Sequence, residues 1–396
     1  MMTEPIYPVI LAAARSPMGR LGGALSQIPA PKLGAHVIRA VVERSGVDPV
    51  EIEEVFMGQV IPAGSGQAPA RQAAIFGGVP QSVGAVTLNK VCGSGLRAVM
   101  FAASAIRAGD GPLYLAGGME SMSLGPYMLP KARFGYRLGN GEVLDATVHD
   151  GLIDPFNGLH MGNEAEWIAR TYHITREMQD QFAYQSHMRA ARATEAGLFR
   201  DEISPITVKQ KRKEVVVDRD EPIRPDTSLE ALARLKPVFE EDGTVTAGNA
   251  PPITDGAAAV VVSHPDFVRA HGLQPLARII GYTHAAVEPL KVFTAPPHAI
   301  RRLMDRIGWD LADVDLFELN EAFAAQSLQN IIELGLDPEK VNVHGGAIAL
   351  GHPLGASGAR VLTTLIYALR QHGGQRGVAA LCLGGGEAVA MAIELL

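Results

Sequence analysis

Two cysteines, Cys92 and Cys382, are all that 396 residues contain. So few thiols, so far apart, cannot build a disulfide framework, and a reducing, cytoplasmic compartment is the default expectation. Charge is scarce as well. Charged residues make up 19% of the chain, below the usual roughly 25%. The 35 basic residues do not outnumber the 42 acidic ones, and the formal charge is −7. A general nucleic-acid binder needs a basic excess, so no nucleic-acid partner is expected. There is no Cys-x-x-Cys, no His-Glu-x-x-His and no Asp-rich calcium loop, and no metal site is expected. A dinucleotide fingerprint is missing too: Cys92-Gly93-Ser94-Gly95 has part of its spacing, but Ala98 stands where a glycine should follow. The longest uncharged stretches, such as Gln72–Asn89 and Asn342–Ala359, are broken by Gly and Pro. They read as turns and buried strands, not as membrane spans. The start, Met1 to Pro8, lacks a basic region followed by an apolar one, so no signal peptide is expected. The end, Ile393–Leu396, does not match a Ser-Lys-Leu peroxisomal signal.

What is abundant points the other way. Hydrophobic residues reach 47%, and there are 43 glycines, above the usual roughly 7%. This fits a large, well-buried body with many tight turns: two or three domains, or one duplicated unit. Short apolar runs alternate with helical patterns. Val9–Ala14, Glu54–Val60, Gly84–Asn89 and Leu113–Gly117 read as strands, and Lys32–Arg44 and Gly95–Ala108 as helices. Pro31 and Gly46 would bound the first helix, and Gly109 would stop the second. The C-terminal part repeats the rhythm, with strands at Ala277–Tyr282, Leu316–Leu319, Val341–His344, Val378–Leu383 and Ala388–Ile393. Its helices are Arg301–Ile307, Ala324–Leu334 and Arg360–Arg370. Such alternation argues for an α/β fold.

The two parts also echo each other. Ser94-Gly95-Leu96-Arg97 matches Ser357-Gly358-Ala359-Arg360, and Phe56-Met57-Gly58-Gln59 answers Phe317-Glu318-Leu319-Asn320. Between them, about Met122–Pro251, the rhythm breaks. A helix is expected over Arg176–Ala196, capped by Thr175 and closed by Gly197. The segment Lys209–Lys213 has four basic residues in five. The region reads as an insertion between strands Leu113–Gly117 and Ala257–Val262.

Several residues could carry chemistry. Cys92 sits at a strand-to-helix turn, where backbone amides and the helix dipole stabilise a thiolate. It is a candidate nucleophile, or else a small buried residue. His352, in the matching turn of the second copy, is a candidate base, or a turn cap. Cys382 ends a strand ahead of Gly384, Gly385 and Gly386. It could be a second base or a buried strand cysteine, and the glycine turn can aim N–H groups at a developing oxyanion. Asn320 could orient a water or a carbonyl, or cap the next helix. Glu321 could be a first-turn acid on that helix. His160 reads as an exposed polar residue.

Taken together, Val91–Val99 (VCGSGLRAV), Gly117–Ser121 (GGMES), Asn320–Ala324 (NEAFA), Gly351–Gly358 (GHPLGASG) and Cys382–Gly386 (CLGGG) resemble the thiolase family over nearly the whole chain. The segment from Val143, ending in Gly158-Leu159-His160-Met161-Gly162, resembles the loop domain of short-chain acetoacetyl-CoA thiolases. The resemblance implies two βαβαβαββ halves in a five-layered αβαβα core with an inserted loop domain. The implied boundaries are 1–121 and 252–274 for the first half, 122–251 for the loop domain and 275–396 for the second half. It implies reversible Claisen condensation of two acetyl-CoA, or thiolysis of a 3-ketoacyl-CoA, with coenzyme A as substrate or product and no cofactor. Cys92 would be acylated, His352 would activate it, and Cys382 would move the α-carbon proton. Asn320 and His352 would form one oxyanion hole, and the amides of Cys92 and Gly384 the other. Leu152, His160, Met161, Arg224, Phe239, Ala247, Ala322 and Phe323 would bind coenzyme A. Dimers or tetramers, and a place in fatty-acid metabolism such as β-oxidation, are implied too. One departure stands out: the short-chain pattern has Ser-Gly where this chain has Pro251-Pro252, which puts the acyl-chain preference in question. A β-ketoacyl synthase is a rival on the same fold, but it lacks a cysteine at the Cys382 position. An idle acyl-CoA-binding relative should have lost part of the Cys–Asn–His–Cys set.

Overall fold

The structure is a computed structural model describing residues 5–210 and 213–396. Met1–Glu4, within the start read above, and Lys211-Arg212, within the basic segment, lie outside the described residues.

The first half runs β1 (Val9–Arg15), α1 (Ala30–Ser45), β2 (Glu54–Gly58), α2 (Pro69–Phe76), β3 (Gly84–Leu88), α3 (Ser94–Ala108), β4 (Leu113–Ser121). The excursion that follows contains α4 (Met161–Thr171) and α5 (Arg176–Glu195), and β5 (Thr254–Ser263) completes the half. The second half repeats the order with β6 (Ala277–Ala286), α6 (Ala295–Ile307), β7 (Leu316–Leu319), α7 (Ala324–Leu334), α8 (Leu354–His372), β8 (Arg376–Leu383) and β9 (Glu387–Leu395). The strands form one path, β7-β8-β9-β6-β1-β5-β4-β2-β3. β2 lies parallel between β3 and β4, as β7 lies parallel to β8, while β4–β5 and β8–β9 are antiparallel. The halves join where Val9 and Ile10 of β1 pair with Arg278 and Ala277 of β6.

Three apolar layers hold this together. One lies between α1, α2 and the first five strands. Another lies around α3 and α8, between the two half-sheets. The last lies under α6 and α7. The result is the five-layered αβαβα core that the resemblance implies. β1 has to serve two of these layers. Val9 and Leu11 face the outer core and Ile10 the middle one, and a bulge between Ile10 and Ala12 then resets the alternation.

The central helices meet closely near their N-termini. A Cβ at Gly95 would stand 2.7 Å from the Ala359 nitrogen, and one at Gly358 would collide with the Leu96 nitrogen. Only residues without side chains permit that approach.

Most expected elements appear, and the exceptions have local causes. Val341–His344 is not a strand. Val341 makes a single parallel bridge to Phe317, at the place corresponding to β3 in the first half. Asn342 then turns to φ +47°, and its side-chain amide, instead of a ladder, takes the N–H and C=O of Leu319. The uncharged stretches are partly helical: Gln72–Phe76 ends α2, and Asn342–Ala359 holds the turn Ala347–Leu350 and the start of α8. α6 begins six residues before Arg301 because Pro296 and Pro297 occupy its first turn, where the missing N–H groups do no harm. Thr175 caps α5 as expected.

Fully buried ionisable groups tie the excursion to the core and α8 to β7. Arg15 on β1 binds Glu202 at 2.6 Å and Asp220 at 2.6 Å. Arg360 on α8 stands 3.6 Å from Glu318 on β7. Burial pushes the Glu318 carboxyl up to about 8, against the pull of Arg360. The folded state therefore favours the protonated acid, and a stability penalty grows as pH rises from the unfolded value near 4.5 toward 8. Two outcomes follow. Urea titrations of Glu318→Gln against wild type should shift in favour of the glutamine by roughly 2–5 kcal/mol between pH 5 and pH 9; a pH-independent difference would contradict this. Gly358→Ala should lower stability by about 1–3 kcal/mol through overpacking of α3 against α8, read from the same titrations.

Candidate active site

Cys92 is placed by a strained elbow between β3 and α3. Val91 adopts φ +45°, uncommon for a β-branched residue. The turn is held by Ser94, whose hydroxyl accepts from the Lys90 amide at 2.8 Å and donates to the Val91 carbonyl at 2.7 Å. The Asn89 side chain accepts from the Val91 amide. The elbow turns Cys92 onto one wall of a cavity of about 370 Å³.

Twelve of the thirteen expected residues line that cavity: Cys92, His352, Cys382, Gly384, Leu152, His160, Met161, Arg224, Phe239, Ala247, Ala322 and Phe323. Asn320, the thirteenth, is buried behind His352, with its Nδ2 3.4 Å from His352 Nε2. Pro251 and Pro252 are on the wall as well. The cavity thus gathers residues from both halves and from the excursion.

The His352 ring is oriented from behind. Its Nδ1 lies 2.6 Å from Ser357 Oγ, and that hydroxyl donates its one proton to the Pro353 carbonyl at 2.9 Å. The Asn320 Nδ2, which can only donate, faces Nε2, so Nε2 is the acceptor nitrogen and Nδ1 carries the ring proton toward Ser357 Oγ. Burial, with Arg360 nearby, lowers His352 to about 3, so the ring is neutral at physiological pH.

Burial also pushes the Cys92 thiol up to about 12, although the Gly384 amide and its own amide favour the thiolate. The turn amides favour a thiolate at Cys92 as expected, and burial in the apolar lining opposes it and raises the thiol. The Gly384 amide does face this sulfur, held by a turn in which Gly385 and Gly386 both have φ +85°. Cys382 is raised well above its ordinary value, by burial first and by the neighbouring Cys92 second. Its surroundings are apolar, with Val292, Phe293, Ala322 and Phe323 in the same cluster.

Other expectations change. His160 is not an exposed bystander. Its Nδ1 caps α4 by accepting from the Gly162 amide at 3.0 Å, and its ring stacks on Phe239 at 4.7 Å. Glu321 is not a dipole partner of α7. Its carboxylate accepts from Ser186, Asn342 and the Ile348 amide. Two residues went unassigned from sequence. Ser357 had a signal, since it is the echo of Ser94 and both hydroxyls brace the turn before a central helix. Glu120 accepts from the amides of Val60, Ile61 and Gly355, pinning the start of α8 to the end of β2.

A neutral imidazole whose unprotonated nitrogen faces the Asn320 amide, a thiol, backbone amides at that thiol and a second thiol form the parts of an acyl-transfer site. Ser357→Ala would leave Nδ1–H without its acceptor and release the tautomer. It should lower kcat/KM by about 10- to 100-fold, with a shifted tautomer ratio in the ring ¹⁵N spectrum; an unchanged ratio would refute the orientation.

Comparison with known proteins gives concordant results. Residues 8–266 match the thiolase N-terminal domain and residues 273–395 the thiolase C-terminal domain. The chain is 53% identical to the acetyl-CoA acetyltransferase of Chromobacterium violaceum, over 97% of this chain and 98% of that protein. It is 52% identical to the acetyl-CoA acetyltransferase of Pseudomonas aeruginosa over the same shares. The crystal structure of the Bacillus anthracis acetyl-CoA acetyltransferase superimposes with a TM-score of 0.97 at 45% identity, covering 100% of both chains.

Proposed function

The chain belongs to the thiolase family, and from that membership we propose an acetyl-CoA C-acetyltransferase that joins two acetyl-CoA into acetoacetyl-CoA and CoA, reversibly. The observation that carries the reading is the convergence of Cys92, His352 and Cys382 on one cavity, with Asn320 beside the imidazole.

Each side chain has a step suited to it. The Cys92 sulfur attacks the thioester carbonyl while its proton passes to His352 Nε2. Because both groups are neutral at rest, this transfer accompanies attack and does not precede it. The amides of Cys92 and Gly384 hold the tetrahedral oxyanion. His352 returns the proton to the departing CoA sulfur, leaving acetyl-Cys92. Cys382 passes its thiol proton to the freed His352 Nε2 and, as the thiolate, takes a proton from the α-carbon of the second acetyl-CoA, while Asn320 and His352 stabilise the enolate oxygen. The carbanion attacks acetyl-Cys92, acetoacetyl-CoA leaves, and the proton held on His352 returns to the Cys92 sulfur, leaving Cys382 protonated as it began. Ping-pong kinetics follow.

Coenzyme A is substrate and product in this scheme, and the chemistry calls for no further group. Arg224, His160, Met161 and Phe239 are its suggested contacts, with Leu152, Ala247, Ala322 and Phe323 along the pantetheine. The suggested division is 1–121 with 252–274, 122–251 and 275–396. Dimers or tetramers fit the free edge of β3, where Val86 is exposed, and the exposed Phe134 and Leu138 of the excursion. Among the described residues, no helix is long and apolar enough to cross a membrane. Cytoplasmic work is part of the proposal. The apolar diproline wall leaves room for a second reading, thiolysis of longer 3-ketoacyl-CoA, which a panel of chain lengths separates.

The decisive measurement is mass spectrometry after mixing with acetyl-CoA. Wild type should carry an acetyl group on Cys92. Cys92→Ala should carry none and lose about 10³-fold or more in thiolysis of acetoacetyl-CoA. Cys382→Ala should still acetylate Cys92 but fail to condense. Near wild-type thiolysis by Cys92→Ala would refute the nucleophile.

A further inference from the structure

Thr254 opens β5 and is fully buried, and its hydroxyl stands between two parts of the site. It donates to the Pro252 carbonyl at 2.7 Å and accepts from the His352 amide at 3.0 Å. One proton is given and one is received, so the hydroxyl is committed on both sides. The residue before His352 reinforces the contact. Gly351 has φ +103°, and a Cβ there would stand 2.6 Å from both Thr254 Oγ1 and Cγ2. Thr254 therefore occupies the space that the glycine leaves, at the point where the chain turns into His352 and Pro353. On the other side, Pro252 and Pro251 line the cavity. Proline has no amide to offer, so their wall can be tied only through carbonyls.

We propose that Thr254 is a positioning residue whose hydroxyl fixes the His352 backbone against the diproline wall, so that Nε2 meets the Cys92 thiol in the attacking geometry. Ser357 sets how the ring is turned, and Thr254 sets where the ring stands. The proposal rests on the reading of His352 as the proton acceptor for Cys92.

The test is the single-turnover rate of Cys92 acetylation by acetyl-CoA, quenched and read by mass spectrometry, with kcat and KM for acetoacetyl-CoA thiolysis alongside. Thr254→Val and Thr254→Ala remove the hydroxyl with different changes in bulk. Thr254→Ser keeps it. Both hydroxyl-free variants should acetylate about tenfold more slowly or worse, with the loss in kcat and little change in KM. Thr254→Ser should stay near wild type. In a His352→Ala background, Thr254→Val should have no further effect. Wild-type rates in both hydroxyl-free variants, a serine variant as slow as they are, or an equal loss in the His352→Ala background would each overturn the proposal. His352→Ala acetylating at the wild-type rate would remove the premise, and the proposal with it.

Discussion

The close approach of α3 and α8 is the constraint on which the rest depends. Two helices lie between two half-sheets, and near their N-termini they are separated by little more than backbone, with Gly95 against Ala359 and Gly358 against Leu96. The turns that precede the helices carry Cys92 and His352. Any side chain at either glycine would push the turns apart and open the middle layer. Glu120 adds a second clamp, since one carboxylate holds both the exit of β2 and the first turn of α8. The duplicated halves are thus locked at the point where they share their chemistry.

Electrostatics at this junction is governed by burial more than by dipoles. A helix terminus contributes only about 0.3–1 kcal/mol to a nearby charge in exposed settings, whereas desolvation moves buried groups by several pKa units. Cys92 and His352 accordingly rest as a neutral pair. What the site prepares is a path for the proton, with the turns that carry Cys92 and His352 braced by the hydroxyls of Ser94, Ser357 and Thr254.

The duplicated α/β plan and Cys92, His352, Cys382 and Gly384 were legible because they rest on local patterns, whereas the other eight cavity residues came only with the family resemblance. Strand and helix periodicities are properties of short windows, and the glycine turns recur in both halves. Less legible was whatever depends on a partner distant in sequence. The strand expected at Val341–His344 fails because the Asn342 side chain satisfies Leu319 in place of a ladder. The starts of α6 and α8 were placed late because proline and glycine read as breakers, although first-turn positions tolerate them. The thiolate expected at Cys92 was an inference from the turn alone, and the surrounding apolar cluster is assembled from Met122, Leu354 and Ile253, far away in the chain. Thr254 carried no motif at all, because its role lies in two hydrogen bonds to other segments.

The resting state of Cys92 has a consequence for durability. Peroxide and other electrophilic oxidants attack thiolates much faster than thiols. Burial that disfavours the Cys92 thiolate works against such attack. The apolar lining that raises the Cys92 thiol thus disfavours its oxidation as well as its ionisation.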